Sequence, residues 1–245
     1  MNYVDLILLI LAIGVVGFLY SSVGHAGASG YIAVMALAGI APAIIRPTAL
    51  VLNIFVATIG SFQFWRAGYV SWRLFRPFAL LSVPAAYLGG YWQLSGSVFR
   101  ILLGLILLFS AVHLIFRRSD PPHVAPPSTP AAIGVGAGIG LLSGLTGTGG
   151  GIFLTPLLLI CRWAHIRQAA AVSALFILVN SIAGLGGFLT GSHGLPSLTL
   201  VLVPVVVIAG FLGSYFGSRR FQPRTICRLL ATVLLIAATK LFLTR

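Results

Sequence analysis

The sequence predicts an all-α fold, a polytopic transmembrane helical bundle, and three observations lead there. Of the 245 residues, 59% are apolar and only 7% carry charge, with a mean hydropathy of +1.09; a soluble domain carries about 25% charged residues because its surface faces water. Apolar runs of membrane-spanning length recur from end to end, each closed by Gly, Pro or Arg; residues 101–116 and 198–216 are examples. These runs do not alternate apolar with polar residues, as the strands of an outer-membrane barrel do. Helices remain, because lipid forces every backbone group to bond within its own segment.

About ten apolar segments follow one another, at residues 4–22, 30–44, 48–65, 77–93, 97–116, 131–146, 150–161, 168–190, 197–217 and 224–243. The N-terminus lacks a basic stretch and a small-residue cleavage site, so it reads as a retained first helix. The longest polar interruption is RRSDPPHVAPPSTP, residues 117–130. Its prolines and missing apolar pattern mark a linker. The chain therefore divides into a first membrane repeat (1–118), a Pro-rich linker (119–130) and a second membrane repeat (131–245).

The two halves match in order. Each opens with a helix that runs into a small-residue break, SSVGHAGASG at 21–30 and SGLTGTGGG at 143–151. A short apolar stretch and then an Arg follow each break: Arg46 in one half, Arg162 and Arg167 in the other. Pro84 and Pro204 stand 120 residues apart in corresponding helices. Such weak internal symmetry is the mark of transporter repeats.

Charge placement predicts that the repeats are inverted. The third–fourth connection carries Arg66, Arg73 and Arg76 in the first half, and its counterpart at 191–197 carries no Lys or Arg. The next connection reverses this, with only Arg100 in the first half but Arg219, Arg220, Arg224 and Arg228 in the second. Under the positive-inside rule, equivalent loops then lie on opposite sides, with the linker cytoplasmic and both termini outside. The net charge of +13 reads as such anchoring residues at helix ends, with an anion-attracting vestibule as the alternative, rather than as nucleic-acid binding. Trp65, Trp72, Trp92 and Trp163 near segment ends read as interfacial residues.

The breaks carry the functional signal. The stretches 133–146 and 152–161 read as half-helices, too short to cross roughly 30 Å of hydrocarbon at about 1.5 Å per residue. Irregular backbone at membrane depth persists only inside protein or beside a water-filled cavity. A half-helix starting after Gly149, Gly150 and Gly151 presents free N–H groups and the positive end of its dipole to a ligand. Gly147 belongs to the same run, and Thr146 and Thr148 would add hydroxyl donors. In the first half Ser21, Ser22, His25, Gly27 and Ser29 take the same part, and two such breaks about a pseudo-two-fold axis would form one central anion site. The competing reading is close helix packing through small residues. His25 reads equally as a proton carrier or substrate donor and as a neutral imidazole bonded to backbone. Asn53, Gln63 and Asn180 read as links between helices, with Asn53 and Asn180 also candidates for lining a path.

Other chemistry is unsupported. Asp5 and Asp120 are the only carboxylates, one near the chain start and one in the linker. They build neither a mid-membrane ion-coupling site nor the carboxylate cluster of a metal-dependent enzyme. Cys161 and Cys227 stand alone, without a CxxC or Cys/His cluster. No enzyme activity, cofactor or metal is expected.

The run GLTGTGGGIFLTPL, residues 144–157, resembles the glycine triplet and proline-bearing apolar stretch of the sulfite exporter TauE/SafE family, also called the toluene-sulfonate uptake permease group. The two-half layout and Pro-rich linker agree, so the resemblance spans nearly the whole chain. The first-half copy departs from the pattern, with Gly27, Ala28, Ser29 and Gly30 in place of the triplet and His25 intruding. The resemblance implies transport of sulfur-containing anions such as sulfite or organosulfonates across a bacterial inner membrane. The residues themselves reach only an anion-compatible transporter. The partners expected are a small anionic substrate and the lipid bilayer, without nucleic acid. A homo-oligomer stays open, as do a channel-like pore, another organic acid as substrate, and a non-transporting membrane-anchor subunit.

Overall fold

A computed structural model describes residues 3–22, 26–92, 94, 96–115, 123–191, 194–217, 235, 238 and 239. Its helices run in the order α1 (Tyr3–Ser22), α2 (Ala28–Leu37), α3 (Pro42–Arg66), α4 (Trp72–Tyr91), α5 (Gly96–Ile115), α6 (Thr129–Thr146), α7 (Gly151–Ile160), α8 (Ile166–Thr190) and α9 (Ser197–Gly217). No strand occurs among the described residues. Four helices, α1, α3, α6 and α8, are long and apolar enough to cross a membrane. The expected segment at 224–243 lies outside the described residues.

Local chemistry sets the boundaries, and it corrects three expectations. The segment expected at 30–44 is two elements. α2 ends at Leu37, Gly39 turns the chain with φ +74, and α3 begins at Pro42. Proline suits a first helical turn because the N–H it lacks has no partner there. The second correction has the same cause. The stretch 133–146 is not a half-helix but the larger part of α6, which starts at Thr129 with Pro130 in its first turn and has 18 residues, about 27 Å of rise. Thirdly, Thr129 and Pro130 therefore belong to α6 and not to the linker. The brevity expected beyond the second break holds, since α7 has 10 residues, and α2 is equally short.

α6 and α7 form a hairpin. The Ala125 amide, just ahead of α6, donates to the Arg162 carbonyl, just past α7, at 2.9 Å, so the start of one helix lies beside the end of the other. α1 and α2 do likewise. Asp5 and Leu8 near the start of α1 line one cavity with Ala38, Gly39 and Ile40 beyond α2 and with Ser197 at the start of α9. On the Ala125 side, Arg167 at the start of α8 donates to the hydroxyl of Tyr69 between α3 and α4.

The helices meet through glycine seams. Gly136, Gly140 and Gly144 recur every fourth residue on α6, and a Cβ on any of them would overlap the carbonyls of Phe78, Ser82 and Ala86 on α4. Gly90 of α4 meets Gly184 of α8, Gly187 meets Tyr87, and Gly213 of α9 meets the Phe18 carbonyl of α1. Lipid offers apolar surfaces no reason to associate, so backbone-to-backbone approach supplies the packing. Leu8, Leu11 and Val15 of α1, Leu80 and Leu88 of α4, and Leu200 and Ile208 of α9 face outward.

Two cores result. One gathers Ile13, Tyr31, Leu52, Leu107 and Val206 from α1, α2, α3, α5 and α9. The other gathers Phe78, Ile139, Leu158 and Phe176 from α4, α6, α7 and α8. Each half of the sequence thus lends one helix, α4 or α9, to the core of the other.

Candidate functional site

The site grows from the turn between α6 and α7. Gly147 (φ +81) ends α6, and Gly149 (φ +73) and Gly150 (φ +80) lead into α7. All three occupy the left-handed region, which glycine enters without steric cost. In the first turn of α7 the Phe153 N–H donates to the Gly150 carbonyl at 3.1 Å, which leaves the Gly151 and Ile152 N–H groups without an intrahelical acceptor, and no side chain among the described residues caps the helix. Together with the helix dipole they create positive potential at Gly151.

Polar side chains from α3 and α8 close on this turn. Asn53 Nδ2 donates to the Gly147 carbonyl at 3.3 Å. A Cβ on Gly149 would sit 3.0 Å from Asn53 Nδ2, 3.0 Å from Ser181 Oγ and 2.7 Å from Ile177 Cγ2. Asn53 and Ser181 are both 0% exposed, yet Asn53 Oδ1 and Ser181 Oγ have no hydrogen-bond partner among the described residues. Buried polar atoms are nearly always bonded to protein, water or ligand. Their proximity to an open helix N-terminus makes this turn a polar site.

The threonines behave differently from expectation. Thr146 Oγ1 donates to the Leu142 carbonyl at 2.6 Å and lies 3.0 Å from Thr148 Oγ1. A hydroxyl has one hydrogen, so Thr148 is the donor within that pair. Both hydrogens are engaged, and the pair stiffens the turn rather than offering donors.

The first-half break has the same backbone device, with Gly27 (φ +88) leading into α2. Its polar groups are arranged otherwise. Ser29 Oγ pairs with the Tyr20 hydroxyl at 2.8 Å, and a Cβ on Gly27 would meet the Tyr31 ring. Ser21 is buried, with Oγ unpartnered among the described residues, and faces Gly210 of α9. Ser22 ends α1, but its side chain and the whole of His25 lie outside the described residues.

Residues 9–241 match the family described as "Sulfite exporter TauE/SafE". The chain belongs to this family. It is 41% identical to "Probable membrane transporter protein y4hK" of Sinorhizobium fredii, over 95% of its own length and 96% of the relative's. It is 25% identical to "Probable membrane transporter protein YjnA" of Bacillus subtilis, over 92% and 95% of the two chains. No solved structure matches the chain at a significant level. As a TauE/SafE member the chain is a multi-pass membrane transporter and not an enzyme.

Within this TauE/SafE fold, the residues singled out from sequence fall into three sets. Gly147, Gly149, Gly150, Gly151 and Asn53 converge on one turn. Asn180 stands beside Ser181, but its Nδ2 donates to the Phe176 carbonyl at 2.9 Å, leaving Oδ1 unpartnered among the described residues. Ser21, Gly27 and Ser29 sit at the other break.

Two residues escaped sequence reasoning. Ser181 is one small polar residue in an apolar helix, where a packing role is the ordinary expectation. Arg46 reads as a helix-end anchor but is 5% exposed. It donates to the carbonyls of Gly144 (2.9 Å), Trp92 (2.7 Å), Gly89 and Gly90, and lies 5.8 Å from the centroid of the Phe188 ring. Its own backbone abuts Gly147. The signal available was its place four residues into a helix begun by Pro42, a full turn deeper than an interfacial arginine stands.

Proposed function

We propose that the chain exports a small sulfur-containing oxyanion, such as sulfite or an organosulfonate, from the bacterial cytoplasm across the inner membrane. The anion binds at the Gly149–Gly150–Gly151 turn. The observation carrying this reading is the juxtaposition of the uncapped α7 N-terminus with the buried, unpartnered Ser181 Oγ and Asn53 Oδ1. The backbone N–H groups and the helix dipole stabilise negative charge there, and the family name is that of a sulfite exporter.

Export suits the charges present. Asp5 near the start of α1 is the one acidic residue within the described helices, so the interior offers no carboxylate to couple an ion. With the cell interior negative, one anion leaving gains about 2.3 kcal/mol per 100 mV and needs none.

Alternating access is the mechanism we propose, and the exchange of helices between cores supports it. α4 packs with α6 and α8, while α9 packs with α1 and α3. The exchange supports a reading of two repeats of inverted topology, whose rocking would expose a shared site to each side in turn.

Binding of sulfite and methanesulfonate to purified protein, read as thermal stabilisation, tests the reading. Stabilisation by a sulfur oxyanion that disappears in Gly149→Val is expected. Sulfite efflux from cells at the wild-type rate in that variant would overturn the site.

A further inference from the structure

The α7 turn offers donors, but it also holds an acceptor that a bare anion cannot use. Asn53 Nδ2 faces the Gly147 carbonyl, which fixes the amide, because turning it over would set two acceptor oxygens against each other. Asn53 Oδ1 is therefore an acceptor, buried and unpartnered among the described residues, on the amide whose Nδ2 lies 3.0 Å from where a Gly149 Cβ would sit. Asn180 is fixed by the same logic through Phe176, and its Oδ1 is likewise unpartnered among the described residues.

A fully deprotonated oxyanion carries only acceptors. Lodged at Gly149 it would leave Asn53 Oδ1 facing another oxygen, and a buried polar group left unpaired is costly. An oxyanion with one hydroxyl hydrogen donates it to Asn53 Oδ1 while its other oxygens take the amides of α7 and the hydroxyl of Ser181.

Charge points the same way. From α3, Arg46 is the charged side chain nearest the turn, and its guanidinium is held by the carbonyls of Gly89, Gly90, Trp92 and Gly144. Among the described residues, α6 and α7 contain no charged residue, and α8 contributes only Arg167 at its far end, against Tyr69. Tyr20 and Tyr31 belong to the other break. The turn thus balances charge with dipoles alone. Desolvation cost rises with the square of the charge, so a dianion is disfavoured more steeply than a monoanion.

We infer that the Gly149 turn selects the protonated monoanion of an oxyacid, such as hydrogen sulfite, over both the dianion and an alkyl-capped sulfonate. The inference rests on the anion site proposed above and narrows its substrate class. Asn53 is the specificity-determining residue and Ser181 a general contact.

The test is calorimetric binding of sulfite to the purified full chain in detergent as pH is raised through the second ionisation of sulfite. Methanesulfonate, a monoanion without a hydroxyl hydrogen at every pH used, serves as control. Sulfite affinity should fall about tenfold for each pH unit beyond the ionisation, while methanesulfonate binds about tenfold more weakly and independently of pH. Asn53→Leu should erase the preference, and Ser181→Ala should weaken both ligands alike. The wild-type titration decides the matter even if a variant fails to fold. Sulfite affinity as flat with pH as that of methanesulfonate, or a preference that survives in Asn53→Leu, overturns the inference and leaves the anion site standing. Binding of neither anion overturns both.

Discussion

Arg46 Nε donates to the Gly144 carbonyl oxygen at 2.9 Å, tying the first turns of α3 to the last turn of α6. The same guanidinium reaches the final carbonyls of α4, groups that have no intrahelical donor. One cation thus serves two helix C-termini, whose dipoles favour positive charge. An ammonium has three donors on a single point and cannot reproduce this fork. Arg46→Lys should therefore destabilise the protein by about 3 kcal/mol, read as a lower unfolding midpoint in a denaturing-detergent titration. A midpoint equal to wild type would show that the four carbonyls find other partners.

Gly149 and Gly39 separate backbone strain from crowding. Both have φ near +74. A Cβ on Gly39 meets nothing within 4 Å, whereas one on Gly149 meets Asn53, Ser181 and Ile177. Gly39→Ala should cost about 1–2 kcal/mol of stability, the left-handed strain alone, and keep transport. Gly149→Ala should lose transport. Equal transport by the two variants would remove the turn from the substrate path.

The α4–α6 seam should be similarly selective. Gly140→Val pushes a side chain into the Ser82 carbonyl, while a Cβ on Gly138, two residues away, meets open space. Gly140→Val should yield a much less stable protein, and Gly138→Ala should gain up to about 1 kcal/mol from helix propensity. Thermal scans of both variants beside wild type check this.

Cys161 is exposed at the end of α7, beside Ala125 of the linker and on the side that carries Arg66, Arg73 and Arg167. The positive-inside rule puts that side in the cytoplasm. In a Cys227→Ser background, a membrane-impermeant maleimide should label inside-out vesicles and spare intact cells. Labelling of intact cells would invert the assignment.

Much of the fold could be read from the chain because its signals are local. Spacing and composition placed six helices, α1 and α5 to α9, to within two residues at each end, and the glycine triplet marked the turn. The starts at Pro42 and Thr129 were missed because proline reads as a breaker until its place in a first turn is known. Arg46 and Ser181 were missed for another reason. The partners of Arg46 stand 43 to 98 residues away in sequence, and Ser181 matters through what its hydroxyl lacks, which no spacing records. The threonines of the turn were legible as residues but not as donors, because their direction depends on a carbonyl one helical turn earlier.

The lending of α4 and α9 between the two cores has a consequence for biosynthesis. A ribosome delivers α4 before any residue of α6 or α8 exists, and α1 nearly two hundred residues before the seam at Gly213. Both early helices must wait in the bilayer with glycine-shaped surfaces unfilled. Long-range closure of this kind is slow and leaves intermediates open to misassembly. A chain released after its first half is then no transporter of half size but an orphan for quality-control proteases. The last helices to leave the ribosome are the ones that complete the first.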